Sequence, residues 1–471
     1  NWYQLLHLLP FSKQIIPIWQ DMLGVTDLSI PDSKQKLNLL DKIGVAWRIL
    51  RAFHRSPKAM KELEQEFQTV EAFFHSHYRP ENTIEQQRKL YQTLHESILA
   101  NWDLTLINDL YAFVHVGLLK KFTGSEVIQS DIAGIEAIES MKPALALEKI
   151  QETLNNHPET QMELRELLQL TESELTDRLA EADSYLTQSL ANFINLYGDR
   201  APEELKLETK TFRSHPRTLL NYLLQENRPQ LKPATDQSPS KQRRISFIGR
   251  WLKKRAMIGI SYRESSRLNR TRIYGMVRQI FRGIGQDLVT KGIIDQIDDI
   301  FFLTKVEIFS HHEIQEFRQL IASRKIKMLE DQEIILPRRL IFNQTIVEKR
   351  PGQTNHLHQR NSDELRGIGC SKGVVEGEVL IVESIQNLPN LQNKILVTKM
   401  TDPGWIYALM QAKGVIAEQG SLLSHTAIIS RELGIPSIVN VPHVTKFLQT
   451  GERIEMDGTT GIIRRLNHDR H

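Results

Sequence analysis

The stretch Glu418–Asn440, EQGSLLSHTAIISRELGIPSIVN, decides how the rest of the chain is read. A glycine-bearing turn at Gly420 and Ser421 leads to Ser424 and His425, after which Ala427, Ile428, Ile429 and Leu433 recur as an apolar helical face. Gly434 can take the left-handed conformation that ends a helix, and Pro436 blocks continuation, which predicts a short helix from about Ser424 to Leu433. His425 then lies in the first turn. There the unpaired backbone N–H groups and the positive end of the helix dipole favour negative charge, a phosphoryl group on the imidazole included. The same field disfavours imidazolium and keeps the ring neutral and nucleophilic. Taken alone, a histidine beside a serine at a helix start is as readily a cap neighbour or a packed side chain.

The wider string resembles the phosphohistidine signature of the enzymes that use or make phosphoenolpyruvate (PEP), approximately E-x-G-G-x-x-S-H-x-A-I-x-x-R-E-x-G-I-P. Glu418, Gly420, Ser424, His425, Ala427, Ile428, Arg431, Glu432, Gly434, Ile435 and Pro436 stand at matching positions, while Ser421 occupies the place of the second glycine. Upstream, TDPGW (Thr401 to Trp405) resembles that family's T-D-P-x-W segment, and GIGCSKGVVEGEVLIV (Gly367 to Val382) its opening strands. Downstream, GERIEMDGTTGIIRRL (Gly451 to Leu466) is similar to the closing hairpin, with Asp457-Gly458 as the turn. The resemblance implies that His425 is the phosphorylated nucleophile, supported by Gly420, Ser424, Thr426 and Arg431. It also implies a small mixed α/β (β/β/α) phosphohistidine swivelling domain.

With 471 residues the chain exceeds one typical domain. Hydrophobic and charged fractions of 40% and 25% are those of an ordinary globular protein. The single cysteine, Cys370, excludes an internal disulfide and a cysteine-rich metal site, which fits a reducing cytoplasm. A net charge of +3 is too small to imply a nucleic-acid partner. No apolar run is long enough for a membrane span, since LLHLLPF is interrupted by His7 and Pro10. The chain opens on Asn1 rather than Met, which leads us to expect either processing or a longer parent chain.

From the start to about Phe342 the pattern is helical. Leu40, Ile43, Trp47 and Leu50 share one helix face, as do Leu90, Leu94 and Ile98, and Thr83 with Gln86 and Thr171 with Glu174 form capping boxes. Core packing is the expectation for Trp47, Phe53, Phe73, Phe74, Tyr111 and Phe113; a pocket for a hydrophobic acceptor is the alternative.

Three segments of this helical region carry further signals. FINLYGDRAPEELKLETKTF (Phe193 to Phe212) resembles a Y-G-H-R-G-x-x-E motif of rifampicin phosphotransferase-like and PEP synthase-like proteins. Tyr197, Gly198, Arg200 and Glu204 agree with it, whereas Asp199 replaces its histidine and Ala201 its second glycine. As bare chemistry, a pair such as Arg200 and Glu204 is more often a solvated or structural ion pair than a site. The polar, Pro- and Ser-rich segment 225–242 reads as a mobile loop. After it a basic helix begins, with Ile245, Phe247, Ile248, Trp251 and Leu252 as an expected packing stripe and a solvated or anion-binding basic face. Further on, YRESSR resembles the family's R-E-x-x-R helix, which makes Arg263, Glu264 and Arg267 match it and adds Arg263 and Arg267 to the acceptor- or phosphate-binding candidates Arg200 and Glu204.

The segment 344–366 lacks apolar periodicity and contains Pro351 and Gly352, which marks a flexible linker; His356 and His358 have no companions there to make a metal site. The expected architecture is multidomain: a mainly α-helical amino-terminal region, 1–343, binding the acceptor, then the linker and the phosphohistidine domain, 367–471. No glycine-rich phosphate loop is found, so the resemblance implies the second half of a dikinase-type phosphotransferase. Its ATP-grasp domain, with ATP and Mg²⁺, would be supplied upstream in cis or in trans. The acceptor would be a small molecule such as pyruvate or a hydroxyl compound, with neither nucleic acid nor membrane as partner. A stand-alone phosphocarrier and a scaffold without chemistry are the rival readings.

Overall fold

The computed structural model describes residues 39–123, 133–201, 204–224, 246–309, 317–332, 341–343, 345–347, 364–383, 390–420 and 424–466. The expected loop at 225–242, most of the expected linker, Ile245 and Ser421 lie outside these residues. The amino-terminal part is helical, as its periodicity predicts. In chain order the helices are α1 (Leu39–His77), α2 (Ile84–Ser97), α3 (Asp103–Thr123), α4 (Ala133–Asn156), α5 (Pro158–Leu167), α6 (Glu172–Glu181), α7 (Tyr185–Tyr197), α8 (Arg217–Leu223), α9 (Phe247–Thr290), α10 (Lys305–Phe309) and α11 (Phe317–Gln332). A small mixed sheet domain follows. Its helices are α12 (Ile406–Leu409), α13 (His425–Glu432) and α14 (Val444–Phe447). Among the described residues no helix is long and apolar enough to cross a membrane.

The capping boxes form as their spacing predicts, Thr83 with Gln86 starting α2 and Thr171 with Glu174 starting α6. Leu90 and Leu94 of α2 are buried, with Ile98 just past its end. The expected stripe on α1 is a correction. Leu40, Ile43, Trp47 and Leu50 do lie on a helix, but each is more than half exposed among the described residues. Packing of α1 starts further along, at Phe53, whose ring meets Tyr111 edge-on at 5.6 Å. Phe73 is 38% exposed, stacked on His77. At the start of α9, Phe247, Ile248 and Trp251 are exposed and, of the described residues of that stripe, only Leu252 is buried, against Ala112, Val116 and Leu119 of α3. Periodicity decides which side chains share a face, not whether another element covers it.

By its contacts the chain divides into two compact units. One holds 67–100 and 273–363. In it the Tyr78 hydroxyl donates to the Gln279 carbonyl at 3.0 Å, the rings of Tyr91, Phe281 and Phe309 cluster, and β1 (Ile341–Asn343) and β2 (Thr345–Val347) pair antiparallel. The other unit holds the described parts of 1–66, 101–272 and 364–471, and so brings α3–α8 and the first part of α9 together with the sheet domain.

That domain is built on eight strands: β3 (Glu364–Arg366), β4 (Ile368–Ser371), β5 (Val374–Ile381), β6 (Lys394–Thr398), β7 (Gly414–Ala417), β8 (Ser437–Val439), β9 (Arg453–Asp457) and β10 (Ile462–Arg465), in the order β3-β10-β9-β5-β6-β7-β8-β4. The central β5-β6-β7-β8 ladder is parallel and the flanking pairs are antiparallel. Parallel strands need crossovers, and α12 and α13 are carried in two of them. β3 lies inside the segment expected as linker; Leu365 is buried by pairing with β10, which a three-residue strand does not announce in its sequence.

Alternation along the strands sorts two cores. Ile395 and Val397 of β6 and Ile416 of β7 join Val379, Ile438, Val441, Ile454, Met456 and Ile463 on one face. Leu396 and Val415, between them in sequence, face the other way into a larger cluster that contains Leu147, Leu186, Phe193, Phe212, Leu219 and Tyr222 of the helical region, with Trp405, Tyr407 and Ile429. The sheet is therefore covered on both faces, and β6 and β7 read as unbroken apolar runs. The closing hairpin is wider than an Asp-Gly turn. Asp457 accepts from the Thr459 and Thr460 amides, at 2.8 and 3.4 Å, and the left-handed residue is Gly461 at φ +78°.

A Cβ on Gly461 would stand 2.2 Å from the Gly367 carbonyl oxygen, whereas Gly434, also left-handed at φ +64°, opens on empty space. Gly461→Ala is thus expected to cost clearly more stability than Gly434→Ala, about 2 to 4 kcal/mol against about 1. Urea denaturation of the two variants checks this order.

Candidate functional site

Thr401 and His425 leave the sheet at the same end. β6 and β7 are parallel neighbours in register, Thr398 opposite Ala417, and the chain beyond each carboxyl end carries one of the two side chains. The Glu418 amide donates to Thr398 and that of Gln419 to Lys399, holding both exits side by side. The Glu418 carboxylate accepts from the Thr445 amide at 3.1 Å, so this signature acid anchors α14. Gly420 has φ +147°, and a Cβ there would press on Val439 at 2.9 Å and the Ser424 hydroxyl at 3.0 Å. Only glycine fits.

Ser424 is the N-cap of α13, its hydroxyl accepting from the Ala427 amide at 3.4 Å. At the far end the Gly434 amide returns to Arg431 and the Ile435 amide to Ser430, a Schellman motif around the left-handed glycine. The helix ends where Gly434 and Pro436 predict. Arg431, expected beside the phosphohistidine, directs its Nε to the Cys370 carbonyl at 2.7 Å and so ties α13 to β4. Burial pushes the Cys370 thiol up to about 11, which removes it as a nucleophile near neutral pH.

The imidazole has two different nitrogens. Nδ1 lies 3.3 Å from the Thr401 hydroxyl, which in turn lies 2.7 Å from that of Thr426. Nε2 is shut off from water and has no hydrogen-bond partner, although His425 as a whole keeps some exposure. In the tautomer with the proton on Nδ1, Thr401 accepts it and donates onward to Thr426, leaving the Nε2 lone pair free to attack. Desolvation, then the charges of Arg200 and Arg267, drive the ring's pKa down to about 3. Burial and the two guanidinium groups thus act in the direction that the sequence reading assigns to the helix start, against the charged ring.

Arg200 follows α7 in a turn fixed by Arg213, whose Nε bonds Asp199 at 2.9 Å and whose NH2 bonds the Ile194 carbonyl at 3.0 Å. Asp199, in the place of the family's histidine, is thus part of a buried ion pair. Arg200 and Glu204 are buried 4.0 Å apart, and Glu204 also accepts from the Thr271 hydroxyl of α9 at 2.6 Å. One turn earlier on α9, Arg267 pairs with Glu264 at 2.9 Å. Arg200, Glu204 and Arg267 therefore gather with His425 in one unit. Arg263 does not join them: it pairs with Asp109 at 3.8 Å and lies over the Phe113 ring, both on α3. Two contributors escape the sequence reading, Thr401 as the Nδ1 partner and Tyr407 beside Arg200. The TDPGW string signals Thr401; nothing in the sequence singles out Tyr407. Among the described residues no group of three or more His, Cys, Asp or Glu side chains is placed to hold a metal ion.

Residues 390–461 match the PEP-utilising enzyme mobile domain, and residues 105–257 match the rifampicin phosphotransferase fourth domain. An uncharacterized protein of Mycobacterium tuberculosis is 29% identical over 62% of this chain and 33% of its own length. The rifampicin phosphotransferase of Bacillus cereus is 25% identical over 68% of this chain and 39% of its own. A probable phosphoenolpyruvate synthase of Pyrococcus abyssi is 35% identical over 25% of this chain and 16% of its own. Two stretches of the chain thus resemble domains of phosphotransferring enzymes, and the chain spans between a third and two fifths of the first relatives' length.

An unfolded histidine titrates near 6.5, so below that pH the unfolded chain binds a proton that the folded site refuses down to about 3. The neutral ring's contribution is complete above about pH 6.5 and is lost as the pH falls toward 3. His425→Gln should therefore lose stability less steeply than the wild type between pH 6 and 4, which urea midpoints across that range will read.

Proposed function

We propose that His425 is a phosphoryl carrier, which takes a phosphoryl group onto Nε2 and passes it to a small-molecule acceptor held by the helical region. The observation that supports this most directly is the neutral imidazole with Nδ1 tied to Thr401 and Nε2 buried without a partner in the field of two arginines. The relatives that act as phosphotransferases support the same class of reaction.

In the first half-reaction the Nε2 lone pair forms a P–N bond to the β-phosphorus of ATP as the α–β bridging bond breaks and AMP leaves, and the γ-phosphoryl group passes to water as inorganic phosphate, so that one phosphoryl group stays on Nε2. Nδ1 keeps its proton on Thr401, so the ring becomes a cation beside the phosphoryl charge. Arg200 and Arg267 stabilise the phosphoryl oxygens, to which guanidinium forks are matched. In the second half-reaction an acceptor oxygen attacks phosphorus and the P–N electron pair returns to Nε2. A hydroxyl acceptor gives up its proton, for which Glu204 is the base in this reading; an enolate needs none. ATP and Mg²⁺ belong to an ATP-grasp domain supplied in cis or in trans. Among the described residues no group of three or more His, Cys, Asp or Glu side chains offers a ligand set for the metal.

Incubation of the purified chain with Mg²⁺, β-labelled ATP and that domain should give label on His425 that is labile in acid and stable in alkali. Without the domain no label is expected. Label on another residue, or label retained in His425→Ala, would overturn the proposal. Arg200→Met should slow delivery from the charged histidine by about tenfold or more, the scale of a lost charged donor at a transferring phosphoryl group. Single-turnover decay of the label in the presence of acceptor measures this.

A further inference from the structure

The Tyr407 hydroxyl and Arg200 Nε are buried donors of this site without a hydrogen-bond partner. Both side chains are more than nine-tenths buried, with Tyr407 at 4% and Arg200 at 6% exposure. Native proteins rarely bury donors unmet, and two in one place call for a ligand that can accept from both. Tyr407 sits on α12 directly after the TDPGW segment that carries Thr401. Its ring meets Phe212 edge-on at 5.3 Å and Tyr222 at 5.0 Å, which fixes where the hydroxyl lies. The charged groups around that hydroxyl are Arg200 and Glu204, with the phenols of Tyr197 and Tyr222, and the same Arg200 acts on the His425 ring. Burial, the largest influence, pushes the Tyr407 phenol far up, so it keeps its proton and acts only as a neutral donor.

We infer that Tyr407 is a phosphoryl-binding residue supplied by the carrier domain itself, its hydroxyl and Arg200 Nε donating to oxygens of the phosphoryl group on His425 Nε2. A phosphoryl group fits because it is anionic and rich in acceptors, while the Tyr407 hydroxyl and Arg200 Nε are both donors. The inference rests on the phosphocarrier reading. Tyr407 moves with His425 on one domain, so it stays beside the phosphoryl group, whereas Arg200 meets it only when the domain is seated on the helical region as here. Together they select the charged carrier for seating.

The test uses the full chain, charged at histidine with phosphoramidate and followed by ³¹P NMR as the pH is varied. Tyr407→Phe keeps the ring against Phe212 and Tyr222 and removes only the donor. Because a hydrogen bond to the dianion favours it, the phosphoryl titration should move up by about half a unit to one unit in this variant. Tyr222→Phe, a control for aromatic packing, should titrate as the wild type does. An unshifted Tyr407→Phe titration overturns the inference and leaves the carrier reading standing, and so does an equal shift in Tyr222→Phe, which would assign the effect to packing. Failure of the wild type to give a phosphohistidine signal that His425→Ala lacks overturns both.

Discussion

The His425 imidazole is held at Nδ1 by Thr401 and shut off from water at Nε2, and the residues responsible come from a strand exit, a helix start and a helical region far away in sequence. Desolvation disfavours the charged ring, and two guanidinium groups add to that effect. A neutral nitrogen among positive charges attracts an anionic electrophile, while the same charges discourage the proton that would compete for its lone pair. Thr401 and Thr426 decide which nitrogen is left open, since a ring proton on Nδ1 has an acceptor and one on Nε2 has none.

The sheet makes this arrangement possible. Its parallel centre delivers two loops from the carboxyl ends of β6 and β7, the edge at which open α/β sheets place their ligands. Its second face is covered by the helical region through a cluster in which Leu396, Val415, Trp405, Tyr407 and Ile429 meet Phe193, Phe212 and Tyr222. Removal of this apolar surface from water supplies the driving force that seats the sheet domain, at about 25 cal/mol per Å² buried. The polar site lies within that seating and therefore has little room for unmatched groups. Buried arginines, a buried glutamate and an unpartnered phenol persist in such a place because they serve a ligand or one another.

Substitution at the family's motif positions has a structural consequence here. Asp199 replaces a histidine, and its carboxylate pairs with Arg213, which also bonds the carbonyls of Ile194 and Asn195. The pair sets the turn from which Arg200 projects. A histidine could not supply that anion, so the residue that departs from the pattern has become part of the scaffold that aims the residue which keeps it.

The sequence by itself determined what depends on neighbours along the chain. Ser424 before a short apolar run, Gly434 and Pro436 after it, and the Thr-x-x-Gln and Thr-x-x-Glu boxes specify helix ends, because caps and left-handed turns act over a few residues. The place of His425 in the first turn of a helix was legible for the same reason, as were the helical region and the mixed sheet domain. Only the tertiary structure decided which apolar faces are covered: Leu40, Ile43, Trp47 and Phe247 repeat with helical spacing as faithfully as Leu90 and Leu94 do, yet remain exposed. It also separated Arg263 from Arg267, one turn apart on α9, sending the first to Asp109 and the second toward His425. It alone set Tyr407 beside Arg200. Burial and long-range electrostatics depend on residues a hundred or more positions away, and no local pattern encodes them.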